Sequence, residues 1–324
     1  MKRLTTLLLM GTLVLGACGQ NSNDKGEQLK VYTTVFPFKS MTEQIGGDHV
    51  EVKSIYPNGT DIHTFEPTQQ DTLNIAKSDL FIYSSDELDS VAAKINKAAK
   101  SKETLAVASN LEEKQLLEHH HDHESEHAHE HEHGHESEHA HEHEHGHEES
   151  AHDPHVWLDP VMNKTFAKEI KDKLVKLDPD NKSDYSKNYE KLIKDIDNID
   201  MKLRAITKNP KRDTVYISHE SIGYLANRYH FTEKGVSGMN NEEPSQQEIV
   251  TMINDINELK IPYILYEQNI PSKITDVIKA KTNTEALKFH NMSVLTDEDA
   301  KNKDVTYQSL MKENITALDQ ALNH

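Results

Sequence analysis

The sequence has 324 residues, a formal net charge of −19, 22 histidines and a single cysteine. One cysteine excludes a disulfide framework, and an acidic balance without a basic patch excludes a nucleic-acid-binding surface. The length suffices for one large or two ordinary domains with real cores.

In residues 1–17, MKRLTTLLLMGTLVLGA, Lys2 and Arg3 precede an apolar run that ends in small residues. The run is shorter than the ~20 apolar residues of a transmembrane helix, so a secretory signal is expected. Residues 15–18, LGAC, resemble the bacterial lipobox, in which cleavage before the cysteine exposes a residue that is diacylated on sulfur. By that resemblance Cys18 is the lipidation site, the protein is extracytoplasmic and anchored to the bacterial cell membrane, and the polar stretch 18–28 is its tether.

Apolar, β-rich runs at 29–38, 50–56, 80–83 and 104–108 then alternate with helical stretches at 39–45, 68–77 and 88–99, a pattern that predicts a parallel sheet. From 118 to 149 the composition changes. ESEHAHEHEHGH occupies 124–135 and recurs over 136–147, and sixteen of the 22 histidines fall within 119–155. The segment 118–149 holds 12 acids and no Lys or Arg, so removing them from the formal −19 leaves −7 elsewhere. With almost nothing apolar to bury, it is expected to be a disordered loop. Its imidazoles suit Zn²⁺, Cu²⁺ or Ni²⁺ better than Ca²⁺ or Mg²⁺, which makes it a weak scavenger or, on the plainer reading, a solvated spacer.

Tyr185, Tyr189, Leu192, Ile196, Ile199, Leu203 and Ile206 recur at spacings of three and four, which predicts a long amphipathic helix over 183–207. At 1.5 Å per residue it spans about 37 Å, enough for a spine between two lobes. Fewer than four heptads argue against a coiled-coil dimer seam and for a monomer. Strands are then predicted at 214–217, 262–266 and 286–290, and helices at 221–229, 245–259, 272–281 and 307–322, with Ser245 and Glu248 forming a capping box. The expected fold is α/β. It has two lobes, 29–179 and 209–324, with parallel sheets and flanking helices, joined by one spine helix over 180–208, and a metal site in the cleft between them.

Three histidines outside the repeat stand where strands and turns deliver side chains. His63 lies in GTDIHTFEPT after the second strand, before a helix expected to open at Pro67. His155 lies in DPHVWLDP, with Trp157 read as core. His219 follows a strand and is expected to open a helix. Open α/β sheets bind ligands beyond the carboxyl ends of their strands, which suits His63 and His219, one from each lobe.

These motifs, FEPT after His63, DPHVWLDP around His155, SHESIGYLANRY around His219 and EPS at 243–245, together with the His/acid-rich insert, resemble the zinc-uptake solute-binding proteins of bacterial ABC importers, of the ZnuA and AdcA type. The resemblance runs over essentially the whole mature chain. It implies that His63, His155 and His219 are zinc ligands in an inter-lobe cleft, and that the partners are an ABC permease and its ATPase. Three imidazoles and one oxygen donor independently suit tetrahedral Zn²⁺. Manganese-uptake relatives pair two histidines with two carboxylates and resemble the chain less.

The fourth ligand departs from the pattern, because Ser293 falls where close relatives carry a glutamate. Water is the first expectation; Glu267, His290 or a histidine of the insert are the others. Asp153 and Glu66 are candidate acceptors for an imidazole N–H. A zinc hydrolase lacks support from any H-E-x-x-H or G-x-S-x-G motif, so no enzyme is expected. A metal-buffering or adhesive surface lipoprotein remains compatible with the same features.

Overall fold

The computed structural model describes residues 28–118, 152–270 and 273–324. The signal segment, Cys18 with almost all of the tether, and the His/Glu repeat lie outside the described residues.

The first half alternates strand and helix: β1 (Leu29–Thr33), α1 (Phe36–Gly46), β2 (Val50–Ser54), α2 (Gln69–Ala76), β3 (Leu80–Tyr83), α3 (Ser90–Ala99) and β4 (Thr104–Ala106). Two helices follow the repeat, α4 (Pro160–Leu177) and α5 (Lys182–Ile206). The second half runs β5 (Thr214–His219), α6 (Gly223–Tyr229), β6 (Thr232–Ser237), α7 (Gln246–Leu259), β7 (Tyr263–Glu267), α8 (Lys273–Thr282), β8 (Glu285–Phe289) and α9 (Tyr307–Asn323). Both halves build a four-stranded parallel sheet with the same order, β2-β1-β3-β4 and β6-β5-β7-β8. In each sheet the order reverses beside the first strand, which opens a crevice at the strands' carboxyl ends.

Most predicted elements occur at their expected places, and the departures have local causes. The strand expected over 29–38 stops at Thr33. Pro37 sits in the first turn of α1, where its missing N–H costs no hydrogen bond, and Val35 is the extended residue before it. Helix α4 was not anticipated. The second Asp-Pro pair starts it, because Asp159 accepts the amides of Val161 and Met162 while Pro160 occupies the first turn. Its buried Met162, Phe166, Ile170 and Leu174 recur every four residues. Strand β6 was missed because TEKGVS is polar; it lies at the sheet edge and buries only its last two residues. The Ser245 and Glu248 capping box is present.

Helix α5 buries Tyr185, Leu192, Ile196, Ile199 and Leu203 on one face, the stripe read from the sequence. That face packs on α1 and α4 from the first half and on α9 from the second. One continuous apolar cluster therefore runs through both halves, and a smaller one lies under α7 and α8. Replacing the fully buried Ile196 by alanine should leave a cavity in that shared core and cost about 2–5 kcal/mol, read as a lower urea midpoint at unchanged slope. Among the described residues no helix is long and apolar enough to cross a membrane.

The two ends of the repeat meet in the fold. Glu118 and His152 face each other in an isolated antiparallel bridge, and the His152 ring is held by Glu87.

Candidate metal centre

The three histidines are delivered by a strand end, a loop and a turn. His219 is the last residue of β5; it does not open α6, which starts four residues later. His63 stands in the loop after β2, and the next helix is opened by Thr68, whose side chain caps α2 in a box with Asp71, so Pro67 lies outside it. His155 stands after β4, in front of a single turn formed by Val156, Trp157 and Leu158, all buried.

These rings, 64 or more positions apart in sequence, converge. Ring centroids are 5.5 Å apart for His63 and His155, 5.2 Å for His63 and His219, and 5.1 Å for His155 and His219. One nitrogen from each lies within 4.8 Å of the others, and this is the only group of three or more candidate ligands so placed among the described residues. His155 and His219 are buried, while His63 borders a cavity of about 370 Å³ lined by Tyr56, Glu87, Leu88, Trp157 and Glu242.

An aspartate two residues ahead holds the backbone of two of these histidines, and one of the two aspartates also holds the ring. Asp153 Oδ1 accepts both the backbone N–H of His155, at 2.8 Å, and its Nδ1–H, also at 2.8 Å. Asp61 Oδ1 accepts the backbone N–H of His63 at 3.0 Å. Both sequences read D-x-H, so each aspartate sits two residues ahead of the histidine whose backbone it holds. Asp153 was singled out from the sequence and Asp61 was not, although the spacing was the available signal. Glu66, the other candidate acceptor, is exposed on the loop. Gly223 leaves room for Asp153, because a Cβ there would stand 2.9 Å from its Oδ2. Trp157 is core as expected, with its Nε1–H donating to the Asn291 carbonyl at 2.8 Å, and its ring also meets that of His155 edge-on at 5.2 Å.

Glu267 ends β7 and is buried behind His219. Its two oxygens lie 3.1 and 3.3 Å from His219 Nδ1 and accept the hydroxyls of Ser218 and Ser221 at 3.1 and 2.8 Å. It is thus a hydrogen-bond partner of a ring in the cluster, the arrangement that fixes which nitrogen of an imidazole faces a metal. His290 is not brought to the cluster. Its Nδ1 accepts the Met292 amide at 3.0 Å, and its Nε2 faces Asp299 at 3.4 Å without hydrogen-bond geometry. Ser293 donates to Asn291 and accepts from Asn269, inside a network of side-chain amides.

Burial and the neighbouring imidazoles push His63 well below the ordinary histidine range, so it is neutral at physiological pH. Burial acts on His219 in the same direction, but the charge and hydrogen bond of Glu267 outweigh it and raise His219 to about 9. The site thus gathers three soft nitrogen donors in a buried pocket. That donor set suits Zn²⁺ and other borderline cations and does not suit Ca²⁺ or Mg²⁺.

A family model described as zinc-uptake complex component A, periplasmic (ZnuA), matches residues 31–321. The high-affinity zinc uptake system protein ZnuA of Bacillus subtilis (strain 168) is 30% identical over 316 residues, covering 96% of this chain and 94% of that protein. The zinc-binding lipoprotein AdcA of Streptococcus pneumoniae (strain ATCC BAA-255 / R6) is 26% identical over 99% of this chain, which spans 61% of that longer protein. Among solved structures, the laminin-binding protein Lmb of Streptococcus agalactiae, described as bifunctional with adhesin and metal transporting activity, superposes with a TM-score of 0.74 at 24% identity, over 92% of this chain and 100% of that one. Zn(II)-bound AdcA of Streptococcus pneumoniae gives 0.71 at 24% identity, over 92% and 58%. At that identity the likeness to Lmb and AdcA speaks for the fold.

Proposed function

We infer the function from one premise: this chain belongs to the zinc-uptake complex component A family. It is the extracytoplasmic zinc-binding component of an ABC importer, which captures Zn²⁺ and delivers it to a membrane permease driven by an ATPase. It is a binding protein, held as a monomer at the membrane through a lipid on Cys18. His63, His155 and His219 are the ligands, in a cleft between lobes 29–179 and 209–324 joined by the helix over 180–208. The repeat at 118–149 is an accessory that raises the local supply of zinc.

The observation that carries this reading is the convergence of three imidazoles within 4.8 Å, with no carboxylate as a fourth member of the group. A manganese site would be served better by harder oxygen donors. Burial and the hydrogen bonds donated to Asp153 and Glu267 hold two of the rings in place beforehand, so little ordering cost falls on the metal.

The test is a zinc titration against a competing chromophoric chelator, on a variant that lacks residues 119–149. One tight equivalent is expected to remain, with only the weaker additional sites lost. Loss of the tight equivalent would move the function to the repeat and end the three-histidine reading.

A further inference from the structure

We propose that the main-chain carbonyl oxygen of Met239 is the fourth zinc donor, presented by a clasp in which Asp61 and Asn241 hold the loop after β6 against the three histidines. The proposal rests on the reading above, that those histidines hold the metal.

His219 offers two nitrogens, and Nδ1 is engaged from behind by Glu267. Nε2 is therefore the donor, and the Met239 carbonyl oxygen lies 2.8 Å from it. In a tetrahedral shell with bonds near 2.1 Å, two donors stand ~3.4 Å apart. The oxygen accepts the Nε2–H and so lies on the side of the ring where zinc would replace that proton; zinc entry moves it aside, by up to ~2 Å, into the neighbouring corner of the shell.

The loop that carries this oxygen is built to hold its position. The Gly238 amide donates to the Glu242 carbonyl at 3.0 Å, and the Asn241 amide donates back to the Gly238 carbonyl at 2.9 Å. Asn241 has φ of 66°, a left-handed conformation that asparagine tolerates better than other residues with a side chain. Its Nδ2–H donates to Asp61 Oδ2 at 2.8 Å, and the other oxygen of Asp61 holds the His63 backbone. One carboxylate therefore registers a ligand loop of the first half against the Met239 loop of the second. The side chains that might otherwise supply an oxygen are committed elsewhere, Glu267 to His219 and two serines, Ser293 to two asparagines.

A carbonyl donor makes all four ligands neutral. The shell then lacks the charge attraction that a carboxylate would add, and opening the clasp removes the oxygen and loosens the metal in one movement. That property suits a protein that must give up its cargo.

The structure of the full chain crystallised with one equivalent of Zn²⁺ decides the matter. Zinc bound by the three histidines with the Met239 oxygen at ~2.0–2.3 Å is the expected result. Water or the Glu267 carboxylate in the fourth position, with the carbonyl beyond 3 Å, overturns the proposal and leaves the three-histidine reading standing; zinc bound away from the histidines overturns both. The Asn241→Gly variant keeps the left-handed backbone and removes the contact to Asp61. Its zinc should dissociate about tenfold faster in stopped-flow trapping by a chelator, at unchanged thermal stability of the chelator-treated protein. A wild-type dissociation rate overturns the clasp.

Discussion

Replacing His219 by alanine is expected to remove the tight zinc equivalent. If a structural zinc site worth roughly 10–16 kcal/mol divides among four donors, one donor carries ~3–4 kcal/mol, or two to three powers of ten in Kd. The loss should exceed that sum's share. Alanine also leaves Glu267 as a fully buried carboxylate facing no imidazole, and an unpaired buried charge disturbs the pocket around it. His290→Asn is the matched control: a buried histidine just past the last strand of the same sheet, outside the cluster, whose replacement should leave zinc affinity within about twofold. Competition titration of both variants checks the pair. Equal losses would mean that damage to the second sheet, and not a missing ligand, was being measured.

Glu267→Gln is expected to change how zinc binding depends on pH. With Glu267 present, His219 titrates at about 9, so at pH 7.5 it carries a proton that zinc must displace. Binding should then release about one proton, and affinity should rise as pH climbs from 6.5 to 9. At pH 7 this displacement costs about a hundredfold in apparent affinity. Glutamine keeps the size and a hydrogen-bonding oxygen but removes the charge, so His219 should fall toward or below the ordinary value of 6.5 and the released proton should disappear. Loss of the carboxylate's hold on the ring costs a further 10–100-fold at any pH. The two effects nearly cancel near pH 7, and the variant should be clearly weaker above pH 9. Calorimetry in buffers of different ionisation enthalpy reads the proton directly. An unchanged proton count in the variant would show that His219 does not carry it.

The same pair sets the sign of a stability effect. A histidine raised above its unfolded pKa stabilises fully below about 6.5, and that contribution is lost as pH rises through about 9. Chelator-treated protein should therefore lose melting temperature across that window. Zinc-saturated protein should hold it, because the metal binds the folded state more tightly as the proton leaves.

Much of this architecture could be read from the chain. The strand-helix alternation gave two parallel sheets, and the stripe from Tyr185 to Leu203 gave a helix that proved to run from Lys182 to Ile206. What failed was polar or ambiguous locally. Strand β6 has no apolar alternation and exists because β5 pairs with it, and α4 hid behind a motif read for its histidine. The three clustered histidines were legible because each sits in a motif of turn and capping residues. Their supports were legible only in part. Asp153 was read from the sequence and Asp61, at the same spacing, was not, whereas Glu267 reaches His219 only because β5 and β7 are neighbours across 48 positions. A main-chain oxygen leaves no mark in a sequence, so nothing there pointed to Met239.

The bridge between Glu118 and His152 bears on how this protein can change over generations. Since the repeat departs from and returns to a single rung, its length is uncoupled from the packing on either side. Closing a chain segment costs only ~0.6 kcal/mol more for each doubling of its length. Identical twelve-residue units side by side also invite unequal recombination of the underlying DNA. On the function proposed above, gain or loss of a unit would alter how many ions the repeat can hold without touching the three clustered histidines, so capacity and selectivity could evolve separately.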